Sequence, residues 1–150
     1  MSTSRSVTVV MEAPADRVWA AIADVTRIGE WSPECVAGRW VDGATGPAVG
    51  ARFEGDNEAR VAGRVVKRWT TTSLVTACEP GREFAFVAEG YTTWRYVLSA
   101  EGDRTSVTES FEYVAAGLQG LLYDTVLMRP RAMAAGMHRT LERIKAAVER

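Results

Sequence analysis

Val7-Thr8-Val9-Val10-Met11-Glu12-Ala13-Pro14-Ala15-Asp16-Arg17-Val18-Trp19 changes its backbone period midway. Val7, Val9 and Met11 alternate with Thr8 and Glu12 around the additional apolar Val10, the pattern of a first strand with one buried face. Pro14 then suits the first turn of a helix, where a missing N–H costs nothing, and Val18, Ile22 and Val25 recur at helical spacing. Asp24 is placed to cap a second short helix carrying Val25, Ile28 and Trp31, its carboxylate accepting the free N–H groups two or three residues on. Pro33 stops that helix.

Downstream, from Cys35 to Tyr113, the pattern has period two. Turn signals stand at Asp42-Gly43, Gly46-Pro47, Gly55-Asp56-Asn57, Pro80-Gly81, Glu89-Gly90 and Glu101-Gly102-Asp103. Six strands fit between them, near 35–42, 50–56, 61–78, 82–88, 92–100 and 104–113. Short connections favour antiparallel neighbours, and no helical segment separates the strands, which excludes a parallel doubly wound sheet. From about Leu118 to Val148 the chain reads as helix, with Leu122, Val126, Met133, Met137, Leu141, Ile144 and Val148 on one face. Pro130 is expected to kink or restart it. The class is therefore α+β, a single domain of residues 1–150 with one core.

Composition narrows the function by exclusion. A formal net charge of -1 gives no broad cationic field for nucleic acid or for an anionic membrane. No run approaches the ~20 apolar residues that cross a bilayer, and the first residues lack the pattern of a secretory signal. Cys35 and Cys78 lie far apart outside any Cys-x-x-Cys pattern, which reads as reduced thiols in a cytoplasmic protein. The Gly-rich spots match no nucleotide-binding loop, and no cofactor is called for. His138 is the only histidine and falls off the apolar stripe, so neither a His-based metal site nor a Ser-His-Asp triad is expected.

The completed order of strand, two helices, six strands and long helix resembles the SRPBCC superfamily, the START-like or Bet v 1-like helix-grip fold, in its polyketide cyclase/dehydrase-type branch. Ala13-Pro14 with Val18-Trp19, Asp24, Glu30-Trp31-Ser32-Pro33, Gly50-Ala51-Arg52-Phe53, Trp69, Glu79-Pro80-Gly81, Phe84 and the closing helix carry the likeness, over nearly the whole chain. The resemblance implies a curved seven-stranded antiparallel sheet gripping the C-terminal helix. It also implies a cavity between them in which members hold lipids, sterols, polyketides or other apolar molecules. Function does not follow from such a fold alone.

Glu109 is the sharpest chemical candidate, because it shares parity with Val107, Phe111 and Tyr113 and so points inward. A carboxylate in an apolar interior is costly unless paired or protonated, and burial raises its pKa. That makes it a polar anchor for a ligand or the one catalytic candidate; pairing with an arginine such as Arg95, or exposure at the sheet edge, is the plainer alternative. The rings of Trp31, Trp40, Phe53, Trp69, Phe84, Phe86, Trp94, Tyr96 and Phe111 suit a pocket lining or ordinary core. Met133 and Met137, one helical turn apart, suit an adaptable lining in the same way. Gly117 to Tyr123 reads as a lid or a loosely packed helix start, and Arg60 to Arg68 as a mildly basic, solvated strand face.

Two functions remain in view. One is a binding protein for a hydrophobic or amphipathic small molecule. The other is a cyclase, aromatase or dehydratase, which requires Glu109, Tyr96 and Tyr113 to converge, with Arg95 as an optional fourth group. A chaperone-binding module would need an exposed apolar patch. Monomer and homodimer are both compatible with the sequence.

Overall fold

A computed structural model describes residues 2–114 and 129–150. Strand β1 (Ser2–Met11) leads into α1 (Ala15–Ala23), and a 3-10 helix follows at Val25–Glu30. Pro14 stands at the N-cap, one residue earlier than expected, where its carbonyl accepts from the amides of Arg17 and Val18. Asp24 caps the second helix as its position predicts, its side chain accepting from the Thr26 amide at 3.1 Å. Val18, Ala21, Ile22 and Val25 are buried, and the Trp19 indole N–H donates to the Glu83 carbonyl, which ties α1 to the sheet.

Six further strands follow: β2 (Cys35–Val41), β3 (Arg52–Val61), β4 (Arg64–Glu79), β5 (Glu83–Ala88), β6 (Thr92–Glu101) and β7 (Arg104–Val114). They form one antiparallel seven-stranded sheet in the order β1-β7-β6-β5-β4-β3-β2. The consecutive hairpins are what short turns require. β1 closes against β7 through the one long-range pairing, Ser2↔Val114 to Met11↔Thr105. The sheet packs on α2 (Arg129–Val148), whose Met133, Met137, Leu141, Ile144 and Val148 are all buried, the stripe expected from helical spacing. Pro130 lies in the first described turn of α2. Leu122, Val126 and the Gly117 to Tyr123 segment fall outside the described residues.

One turn signal misleads. Gly55-Asp56-Asn57 lies inside β3, not between strands, and the chain reverses instead at Ala62-Gly63. Both turn residues have positive φ, 53° and 80°, the geometry of a tight two-residue hairpin connection. Gly55 serves close approach: a Cβ there would stand 2.9 Å from the Cys35 Sγ. Asn57 is held inside the sheet because its amide donates to Gly55 O, Trp69 O and Thr71 Oγ1 at 3.2–3.3 Å.

Candidate functional site

The site is built on β6 and β7. Antiparallel register sets Tyr96 opposite Glu109 and Trp94 opposite Phe111, while β1 brings Val7 to the other side of Glu109. Alternation turns Val107, Glu109, Phe111 and Tyr113 to the interior, and all four are buried. Glu109 is only 3% exposed. The Tyr96 hydroxyl donates to its Oε2 at 2.9 Å, and Oε1 has no hydrogen-bond partner among the described residues.

Burial dominates the protonation of this pair. Removing the carboxylate from water pushes Glu109 up to about 8, a rise that the Tyr96 hydrogen bond only partly opposes. Burial also raises Tyr96 well above the ordinary phenol range, and the charge of Glu109 and the bond to it add to that. At neutral pH Glu109 is thus a carboxylic acid. With Tyr96 donating to Oε2, the acid proton belongs on Oε1, the oxygen without a partner among the described residues. The site therefore presents one buried O–H donor to its surroundings.

Apolar packing divides at this point. Phe111, Tyr113, Met133 and Met137 form one buried cluster, bordered by Val7, Trp94 and Ala134. Tyr96 belongs to a second and larger cluster with Phe53, Phe84, Leu98, Val107, Leu141 and Ile144. On β7, Glu109 sits between Val107 of one cluster and Phe111 of the other.

The expected lining residues fall into distinct places. Trp94, Phe111, Met133 and Met137 come together beside Glu109 and Tyr96, with Trp94 and Phe111 ring centroids 5.5 Å apart. Trp40, Phe53, Phe86 and Phe84 make a chain of ring contacts with spacings of 5.7, 4.9 and 5.9 Å. Trp31 is buried at the end of the 3-10 helix, under the Arg27 guanidinium and with its carbonyl accepting from Arg143. Trp69 stands on β4 opposite Asn57, with the Lys67 ammonium 5.2 Å from its ring. Tyr113, which shares the inward parity of Glu109 but stands outside the expected lining set, stacks on Phe111 at 5.9 Å and joins the group.

Arg95 does not reach Glu109. Its neighbour in sequence, Tyr96, takes the inward position, and Arg95 forms an ion pair with Glu83 instead. Of the groups a cyclase mechanism calls for, Glu109 and Tyr96 are joined and Tyr113 is buried on the same strand face, while the optional Arg95 is turned away. The described residues line surface concavities of about 230 Å³ (Ser4, Thr93, Arg95, Ser110, Phe111, Glu112) and about 400 Å³ (Val36, Asp56, Asn57, Glu58, Arg68, Trp69, Thr70). Neither is lined by Glu109 or Tyr96, so neither is the cavity anticipated between sheet and helix.

The remaining candidates are inert by position. The Cys35 thiol is pushed up to about 11, chiefly by burial, so it is not a thiolate nucleophile at neutral pH. Burial raises Cys78 as well. His138 is exposed, 3.8 Å from Glu142. Among the described residues no group of three or more His, Cys, Asp and Glu side chains is placed to hold a metal ion, and no helix is long and apolar enough to cross a membrane.

No curated protein matches this chain, but solved structures do. The Polyketide_cyc-like protein Cgl2372 of Corynebacterium glutamicum is 29% identical, with a TM-score of 0.62 over 100% of this chain and 91% of that one. CV1439 of Chromobacterium violaceum is 16% identical, with a TM-score of 0.71 over 99% of each chain. The di-domain ARO/CYC StfQ from the steffimycin biosynthetic pathway is 13% identical, with a TM-score of 0.76 over 99% of this chain and 51% of that one. The two more distant structures share the fold. The sequence profile of one family, described as polyketide cyclase / dehydrase and lipid transport, matches residues 2–149, and the chain belongs to that family.

Proposed function

We propose that the protein binds a hydrophobic or amphipathic small molecule, of lipid, sterol or polyketide-like character, between the sheet and α2. Its polar end sits at Glu109. The observation that carries this is the Glu109 Oε1, buried and without a partner among the described residues where two apolar clusters meet. A buried polar atom left unsatisfied costs about 1–3 kcal/mol, a cost that a guest's hydrogen bond removes. Because the acid is protonated at neutral pH, the matching guest atom is an acceptor such as a ketone or ester carbonyl. A carboxylate guest is also an acceptor, and its negative charge would hold the acid in the neutral form.

A carbonyl-bearing tricycle and its hydrocarbon counterpart, anthrone and anthracene, separate shape from hydrogen bonding. Titrations should favour anthrone by roughly 5–30-fold at pH 6, the worth of one buried hydrogen bond. Glu109→Leu should abolish that preference, and Glu109→Gln, which keeps an N–H donor, should retain it. Equal affinity of wild-type protein for the two tricycles would overturn the assignment of Glu109.

The same pair supports a second reading, a cyclase- or dehydratase-like enzyme. A carboxylic acid that titrates near 8 is poised to give a proton to a developing enolate or leaving hydroxyl, with Tyr96 steadying the resulting carboxylate. Glu109→Gln divides the two roles: a carrier keeps its guest, whereas an enzyme keeps its substrate and loses turnover.

A further inference from the structure

The β3–β4 hairpin outruns the rest of the sheet. β2 pairs with β3 only as far as Asn57, and β5 pairs with β4 only from Ser73 onward. Beyond those points, among the described residues, Ala59↔Lys67, Arg60↔Val65 and Val61↔Arg64 pair with each other alone. The tip at Ala62-Gly63 therefore stands roughly 15 Å past Asn57, at the extended-strand rise per residue.

The composition of this ribbon is unlike that of a merely solvated hairpin. Val61 and Val66 are 64% and 62% exposed, and Tyr91, in the β5–β6 turn, is 61% exposed. Strand directions put that turn, the ribbon tip, the end of β7 and the start of α2 at one end of the molecule. The cluster of Phe111, Tyr113 and Met133 lies toward the same end. Arg60, Arg64, Lys67 and Arg68 set four cations against the single carboxylate of Glu58, in a chain whose formal net charge is -1. Glu58 is engaged by Arg60 and Arg68, while Arg64 and Lys67 enter no ion pair among the described residues. Nearby carboxylates are also occupied, Asp56 by Arg39 and Glu89 by the Thr72 amide.

We propose that this ribbon docks the protein on an anionic lipid surface, the valines entering the headgroup layer and the cations meeting lipid phosphates. Apolar side chains at a tip ringed by Arg and Lys are the chemistry of a membrane interface. Single-stranded nucleic acid would ask for open aromatic faces among the cations, and the one ring in the ribbon, Trp69, already has Lys67 beside it. Net charge hides the patch because acidic residues elsewhere cancel it. For a protein whose guest is apolar, such docking puts the interior beside the phase where that guest dissolves.

Co-sedimentation with phosphatidylcholine vesicles, and with phosphatidylcholine–phosphatidylglycerol vesicles in roughly two-to-one proportion, tests this directly without any guest. The 150-residue protein should bind the anionic vesicles, bind neutral ones at least about tenfold more weakly, and release as salt rises. Arg64→Gln with Lys67→Gln should weaken binding by about tenfold or more. Val61→Ser with Val66→Ser should weaken it at every salt concentration. All four positions are exposed, so circular dichroism and the anthrone titration should be unchanged in these variants. Loss of vesicle binding with anthrone binding intact separates this docking from the Glu109 site. No preference for anionic vesicles, variants that bind like wild type, or binding to single-stranded DNA in place of vesicles would each overturn the proposal.

Discussion

At Glu109 a single side chain sets both a cost and a function. Its folded pKa of about 8 lies above the ordinary 4.5, so the folded protein holds a proton that the unfolded chain releases between those values. Stability contributed by that proton is complete below pH 4.5, declines as pH rises, and is lost above about 8. Glu109→Gln replaces the acid with a neutral group of the same shape. Urea unfolding at pH 8 should show the variant more stable than wild type by on the order of 2–4 kcal/mol, with the difference shrinking toward pH 5. A wild-type stability that is flat over this window would mean that Glu109 is solvated. Guest affinity carries the same sign: binding of an acceptor carbonyl should weaken as pH rises through about 8 in wild type and not in Glu109→Gln. Tyr96→Phe removes the hydroxyl that donates to Oε2 and should raise the Glu109 pKa further, readable from the side-chain carboxyl carbon by NMR.

Elements hold that residue in place through close approaches. The 3-10 helix lies against β2 so tightly that a Cβ on Gly38 would stand 2.2 Å from the Val25 carbonyl oxygen, and one on Gly29 would stand 2.1 Å from that of Val36. Backbone cannot yield as a flexible side chain does. Gly38→Ala should cost at least about 2 kcal/mol, seen as a lowered Tm, although neither glycine touches Glu109. On α2, Met137 is 1% exposed beside Phe111 and Met133, and Met137→Ala should cost about 2–5 kcal/mol unless a guest fills the space. Elements were also where the sequence was most legible. The α2 stripe, the Asp24 cap and the six strands follow from periodicity and capping chemistry, which act locally. Gly55-Asp56-Asn57 misled for a local reason too: its turn-forming residues are in β3 to admit the Cys35 sulfur and to bind across to β4, contacts invisible without the register.

For the molecule as a whole, the helix-grip architecture was readable because it depends on the order of elements, and the order was intact. The site was readable only in part. Parity turned Glu109 inward, but its partner depends on which strand lies beside β7 and in what register. Tyr96 takes the position facing Glu109, and alternation sends Arg95 to the opposite side. The basic ribbon was legible as composition and illegible as a surface, since its protrusion depends on where β2 and β5 stop. These scales meet in one claim, that an apolar guest lies between sheet and α2 with an acceptor atom on Glu109. Native mass spectrometry of the protein after exposure to apolar cell extracts tests it most directly. A non-covalent small-molecule adduct should be present near pH 6, diminish above pH 8 in wild type and persist there in Glu109→Gln. Emergence of the wild-type protein at its bare chain mass of 16.4 kDa from every extract would contradict the claim.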